Sequence, residues 1–299
     1  MSAASSLLGS LIDYAGLFPP AQLAMPDAVR AHAAHLAGPH RAALGRFVVP
    51  LVRLAEFDAA FALLPPAEQQ GWQLSVLAGP DPLADVPSIL VFNSRHAGAR
   101  IVSVETKISA PAASTAPADI ARLVAPFPSS LEVWIEIPPT APDLSALLDV
   151  VRATGRGAKL RTGGTTPDAF PPPADVARFL RECHRAGVAM KATAGLHHPL
   201  RGDYRLTYAP GSATGKMFGF LNVFLAAALV HTGGSDADAL ALLDDGDASH
   251  FTATPDALAW RSHRFTAAQI DATRAALCRS FGSCSFTEPL DGLQELRWI

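Results

Sequence analysis

Lysine is scarce in this chain: of 24 basic residues only Lys107, Lys159, Lys191 and Lys216 are lysines, and the other twenty are arginines. A guanidinium stays protonated, whereas an ammonium can lose its proton when desolvated, so a lysine kept against that bias points to a position that needs a tunable amine. Cysteine is sparse too. Cys183, Cys278 and Cys284 form no CxxC pair and are odd in number, which excludes a disulfide framework and a cysteine-rich zinc site. No HExxH or HxH spacing occurs and no GxGxxG follows the first predicted strand, so neither a metal nor another cofactor is expected. The segment from Gly211 to Lys216 is one residue short of a phosphate loop, and Met217 stands where Ser or Thr is required.

Long apolar runs and strong charge are missing as well. The longest apolar stretch, 217–230, contains Gly219 and Asn222 and falls short of the roughly 18 residues of a spanning helix, so it reads as a buried helix. A net charge of −3 gives no footprint for nucleic acid or for a membrane surface. The first basic residue is Arg30, so residues 1–18 lack the basic start of a secretion signal, and a cytoplasmic location is expected. A homo-oligomer is left open.

What is present is alternation. Short runs rich in Val, Ile and Leu predict strands at 11–17, 47–53, 73–79, 101–108, 131–137, 157–162, 187–193 and 279–286. Stretches of helical period at 26–37, 54–64, 117–124, 143–153, 173–185, 216–231 and 266–278 lie between them. Eight such units predict an α/β fold, a (β/α)8 TIM barrel, as a single domain over 1–299. The surplus between the seventh and eighth strands is read as an insertion at about 200–265, with an acidic patch at Asp244, Asp245 and Asp247 and a further strand at 257–262.

Strand side chains alternate between faces, and a barrel strand turns one face to the helices and the other inward. The apolar faces must meet the helices, which sends Glu105, Lys107, Glu136, Lys159, Arg161 and Lys191 into the barrel. An unpaired buried ion costs several kcal/mol, so these six must pair or face a wet pocket. Four positive charges against two negative call for an anionic substrate, and their crowding should depress an amine pKa. The competing reading is a salt-bridge lattice that serves stability alone. His197 and His198, just past the seventh strand, suit acid–base work or anion binding. His32 and His35, on an alanine-rich helix, are expected to face solvent.

In chain order these segments resemble the deoxyribose-phosphate aldolase group of class I aldolases. Leu11 to Leu17 is similar to that family's first strand, and Glu136 to the acidic residue on its fifth. Arg161-Thr162-Gly163-Gly164 resembles its sixth strand, Val188 to Gly195 its seventh, and Phe281-Gly282-Ser283-Cys284-Ser285 the phosphate-binding turn after its eighth. The resemblance implies a proton-relaying role for Glu105 and a pKa-lowering role for Lys191. It also aligns the family's imine-forming lysine with Arg161, which cannot form an imine. The same segments also look like a group of bacterial proteins with no assigned reaction.

The expectation is therefore a class I aldolase-like lyase acting on a small anionic carbonyl compound through a lysine Schiff base. Lys191 is the expected nucleophile, with Lys159 as the other candidate, Glu105 and Glu136 carrying protons and His197 as acid or base. Lys107, Arg161, Gly163, Gly164, Gly195, His198, Ser283 and Ser285 are expected to bind the substrate. Two alternatives stay open: an isomerase, transferase or hydrolase barrel using the same anion site without an imine, and a non-catalytic barrel that binds a small anion.

Overall fold

A computed structural model describes residues 2–79, 81–108 and 117–299. Its chain alternates strand and helix: α1 (Ala3–Leu8), β1 (Ile12–Tyr14), α2 (Met25–Ala37), β2 (Leu44–Pro50), α3 (Leu54–Phe61), β3 (Trp72–Leu77), α4 (Pro82–Arg95), β4 (Ala99–Lys107), α5 (Pro117–Val124), β5 (Glu132–Glu136), α6 (Leu144–Ala153), β6 (Gly157–Arg161), α7 (Pro173–Ala186) and β7 (Met190–Thr193). The segment that follows holds β8 (Gly202–Arg205), β9 (Thr214–Met217), α8 (Phe220–His231), α9 (Asp236–Asp244), β10 (Phe251–Ala253), β11 (Ala257–Trp260), β12 (His263–Thr266) and α10 (Ala267–Ala276). The last unit is β13 (Cys278–Ser283) with α11 (Thr287–Glu295).

Strands β1 to β7 and β13 close into one parallel barrel in the order β1-β13-β7-β6-β5-β4-β3-β2. Each predicted strand overlaps a barrel strand, and the fold is the expected (β/α)8 barrel. The sequence pattern misses the helices α1, α4, α9 and α11, and the period of α4 is broken by Pro87, Asn93 and Ser94. Helix α4 starts where Asp81 caps the amide of Leu83. Helix α7 stops at Gly187, whose φ of 65° is left-handed and lets its amide reach the carbonyls of Cys183 and His184.

The core lies in two layers. Outward-facing strand residues such as Ile101, Val104, Val133, Ile135, Leu160 and Phe281 are buried against the helices. Helix α8 is buried from Phe220 to Val230, as its lack of a polar face requires. Its Asn222 stays inside because its amide donates to the Leu242 and Asp245 carbonyls and its oxygen accepts from the Arg201 amide. The expectation for the histidines of α2 fails. His32 is buried against Trp72 and Phe47 and its pKa is lowered to about 3 by that burial, and His35 is half-buried against Tyr14 and Phe286. Four aromatic rings around α2 outweigh the alanine-rich pattern that suggested a wet face.

Two small antiparallel sheets occupy the stretch between β7 and β13. The β8–β9 hairpin carries Lys216 exposed on its second strand, and β10, β11 and β12 form the other sheet. In the acidic patch, Asp245 is buried and accepts hydrogen bonds from His250, Trp260 and Arg261, while Asp244 pairs with Arg201. That cluster ties the β10–β12 sheet to the C-terminal end of α9. No helix among the described residues is long and apolar enough to cross a membrane.

Candidate active site

Inward positions of five strands build a chain of alternating charge. Asp13 on β1 accepts from Lys191 Nζ at 2.6 Å, and the same Nζ donates to Glu105 Oε1 at 2.6 Å. The other oxygen of Glu105 meets Lys159 Nζ at 2.8 Å, which also lies 3.0 Å from Glu136 Oε2. Arg161 ends the chain, with Nε 3.0 Å from Glu136 Oε1. Neutral donors complete the carboxylates: Ser75 donates to Glu105, and Ser280 and the Arg46 amide donate to Asp13. Three carboxylates and three cations alternate, so each buried ion has the partners that an apolar interior demands.

This arrangement corrects the expected charge imbalance. Lys107 has inward parity but ends β4 and is exposed, outside the lining of the cavity. Asp13 supplies the carboxylate that the sequence reading left out, although β1's alternation of Ile12, Asp13 and Tyr14 already points it inward. With carboxylates interleaved, the expected depression of an amine pKa does not occur at Lys191. Burial alone would lower its pKa, but Asp13 and Glu105 outweigh burial and raise it. Burial would likewise raise Glu105, yet Lys159 and then Lys191 hold it well below the usual carboxylate range. Glu136 is lowered in the same way, by Lys159 and Arg161 acting against burial.

These shifts fix a pH window for stability. Glu105 contributes fully above its unfolded value of about 4.3 and loses that contribution as pH falls below it. Lys191 contributes fully below its unfolded value of about 10.4 and loses it as pH climbs through the raised folded value. The contribution of these two groups to the denaturation midpoint is therefore expected to be flat between about pH 5 and pH 10 and to fall on both sides. Buried His32 adds a loss below about pH 6.5, and paired His197 one above it. In Glu105→Gln the acid limb should become shallower. An unchanged acid limb in that variant would show that Glu105 is not the ionised group.

Above the chain a cavity of about 290 Å³ opens at the C-terminal ends of the barrel strands, small even among ligand pockets. Glu105, Lys159, Arg161, Gly164, Gly195, His197 and His198 line it, so these expected residues come together. Lys191 does not line it and is sealed beneath, at 0% exposure against 5% for Lys159. Glu136 touches the cavity only through Lys159 and Arg161. Gly163 stands behind the wall, packed on Phe170 and against Gly195, whose φ of 76° completes the turn after β7. Ser283 and Ser285 lie outside the lining, whereas Gly282 and Cys284 belong to it. The parity of β13 accounts for this, because Ser280 is inward and its face continues to Gly282 and Cys284.

A second polar group forms the rim. His197 Nδ1 lies 2.8 Å from Glu288 Oε2 in the first turn of α11, and Nε2 is 3.9 Å from Cys284 Sγ. Burial would lower its pKa, but Cys284 and Glu288 raise it to about 9. His198 goes the other way, lowered by burial and by its charged neighbour, and stacks on Tyr204 with ring centroids 3.5 Å apart. The β8–β9 hairpin adds Arg205, which is exposed and has no carboxylate partner among the described residues, and the loop inside it adds Tyr208. Sequence reading missed Arg205, Tyr208 and Glu288, since nothing local ties residues 205, 208 and 288 to the barrel mouth. Among the described residues no group of three or more His, Cys, Asp or Glu side chains could hold a metal ion.

No protein-family model matches the chain, and no curated protein matches it. Among solved structures it is similar to a deoxyribose phosphate aldolase from Aeropyrum pernix, described as having a unique tetrameric structure, with 17% identity and a TM-score of 0.43 over 80% of this chain and 90% of that one.

Proposed function

We propose that the chain is a lyase of the class I aldolase type, acting on a small anionic carbonyl compound through an imine on Lys159. One observation carries this reading: among the described residues Lys159 is the one lysine that lines the cavity, and it stands between two carboxylates that can take and return its proton. Lys191, sealed and doubly paired, suits a fixed positive charge behind Glu105 and not the nucleophile. The electrostatics favour an iminium at that position. A protonated imine at Nζ is a cation in the place of the ammonium, so Glu105 and Glu136 stabilise it without any rearrangement of the chain of charges.

In this reading the Lys159 amine adds to the substrate carbonyl carbon and passes its proton to Glu105 or Glu136. The Lys159 ammonium gives up two protons in all, one before and one after addition, and both return through the carboxylates to the carbinolamine oxygen, which leaves as water. The iminium then accepts the electron pair of the adjacent carbon–carbon bond as that bond breaks. His197, held by Glu288, is placed to move the proton of the substrate hydroxyl. Arg161 and Arg205 supply the positive charge for a carboxylate or phosphate, in place of the net charge first expected from the barrel interior.

Borohydride trapping in the presence of short phosphorylated aldehydes and 2-oxo acids tests the reading. A reduced adduct is expected on the peptide carrying Lys159 and on no other. Adducts confined to the exposed Lys107 and Lys216, or none with any carbonyl compound, would end the imine mechanism.

A further inference from the structure

We propose that Cys284, His197 and Glu288 form a second reactive centre in the same cavity, a thiol acyl-transfer site that takes a short, anionic ester or thioester. Cys183 and Cys278 are buried in the protein, and Cys284 is the cysteine that lines the cavity among the described residues. It follows β13 on the strand's inward face, so its sulfur points where the substrate sits. His197 Nε2 faces that sulfur at 3.9 Å, and Nδ1 meets Glu288 at 2.8 Å. An ionised carboxylate only accepts, so Nδ1 donates to Glu288, and Nε2 serves as a base toward the thiol once His197 gives up its second proton, near pH 9. Glu288 is fixed in turn, since its amide donates to Ser285 Oγ. Nucleophile, base and orienting carboxylate thus come from three separate segments: the end of β13, the loop after β7 and the first turn of α11. Tyr208 hydroxyl, 3.7 Å from Sγ, stands beside the point where an attacked carbonyl oxygen would gather charge.

The chemistry balances without an oxidant or a cofactor. The thiol proton moves to His197 Nε2 as sulfur bonds to the acyl carbon. The bond to the leaving oxygen or sulfur breaks, and the leaving group departs with the proton from His197. Water then adds to the thioester, the carbon–sulfur bond breaks, and His197 carries the water's proton back to sulfur, releasing a carboxylic acid. The cavity volume of about 290 Å³ limits the acyl group to a short one, and Arg161 and Arg205 favour one with a negative charge. None of these steps requires an imine on Lys159.

Acylation by p-nitrophenyl acetate tests the site in the full-length protein. Wild type should release a burst of nitrophenol stoichiometric with protein and carry an acetyl group on the peptide containing Cys284. His197→Asn should slow the burst by about 10²-fold or more. Glu288, a positioning residue, is expected in Glu288→Gln to lower the maximal acylation rate while the ester's half-saturation concentration stays unchanged. An acetyl group found on Lys159 or on surface amines with Cys284 unmodified would overturn the proposal. So would acetylation of Cys284 at the same rate with and without His197, the mark of a thiol reacting unaided. A borohydride adduct on Lys159 is read from a different peptide, so either centre can fail while the other stands.

Discussion

Lys191→Met is expected to destabilise the barrel by about 3–5 kcal/mol, because it removes one partner from a fully buried ion cluster and leaves the others uncompensated. Lys191 has no exposed surface, and it is the cation that Asp13 and Glu105 share, at 1% and 4% exposure. After the change Asp13 keeps only Ser280 and the Arg46 amide, which do not neutralise it. Glu105 keeps Lys159, so the larger share of the loss belongs to Asp13. The denaturant midpoint at neutral pH, with the slope checked for constancy, measures the effect. A triple variant, Asp13→Leu with Glu105→Leu and Lys191→Met, should be less destabilised than Lys191→Met alone, because burying no charge costs less than burying an unpaired one. A loss below about 1 kcal/mol in the single variant would mean that water reaches the cluster, as exposed pairs contribute only that much.

That cluster marks the limit of what the sequence expresses. The eight barrel strands are legible, because β-branched runs such as Ile101 to Val104 recur between helices of regular period, and a parallel sheet has few other solutions. Parity is legible too: it sends Glu105, Lys159 and Lys191 inward, and it equally favours Asp13 and Cys284 over the serines on either side of Cys284. Depth is not. Lys159 and Lys191 pair in register on adjacent strands, and only contacts across the barrel make one a wall of the cavity and seal the other under Glu105. Lys107 shares their parity and yet reaches solvent, because β4 ends there. The link between His197 and Glu288 spans 91 residues, a separation that no local pattern encodes.

Lys159→Arg separates charge from chemistry at the cavity wall. Arginine keeps a cation between Glu105 and Glu136, so the alternation of charge survives, and the added bulk can extend into the cavity beside Arg161. The expected stability loss is under about 2 kcal/mol, less than in Lys191→Met, since overpacking is the only new cost. Lyase turnover should nonetheless fall by at least about 10³-fold, because a guanidinium cannot form the imine on which bond cleavage depends. The measurement is carbon–carbon cleavage of whichever carbonyl compound traps on wild type, with borohydride adduct formation followed in parallel and expected to vanish. Lys191→Met should give the opposite pattern, with a large loss of stability but an adduct still forming on Lys159 in the fraction that remains folded. Turnover within tenfold of wild type in Lys159→Arg would mean that the amine acts through its charge alone, which would move the barrel's chemistry to His197 and its neighbours.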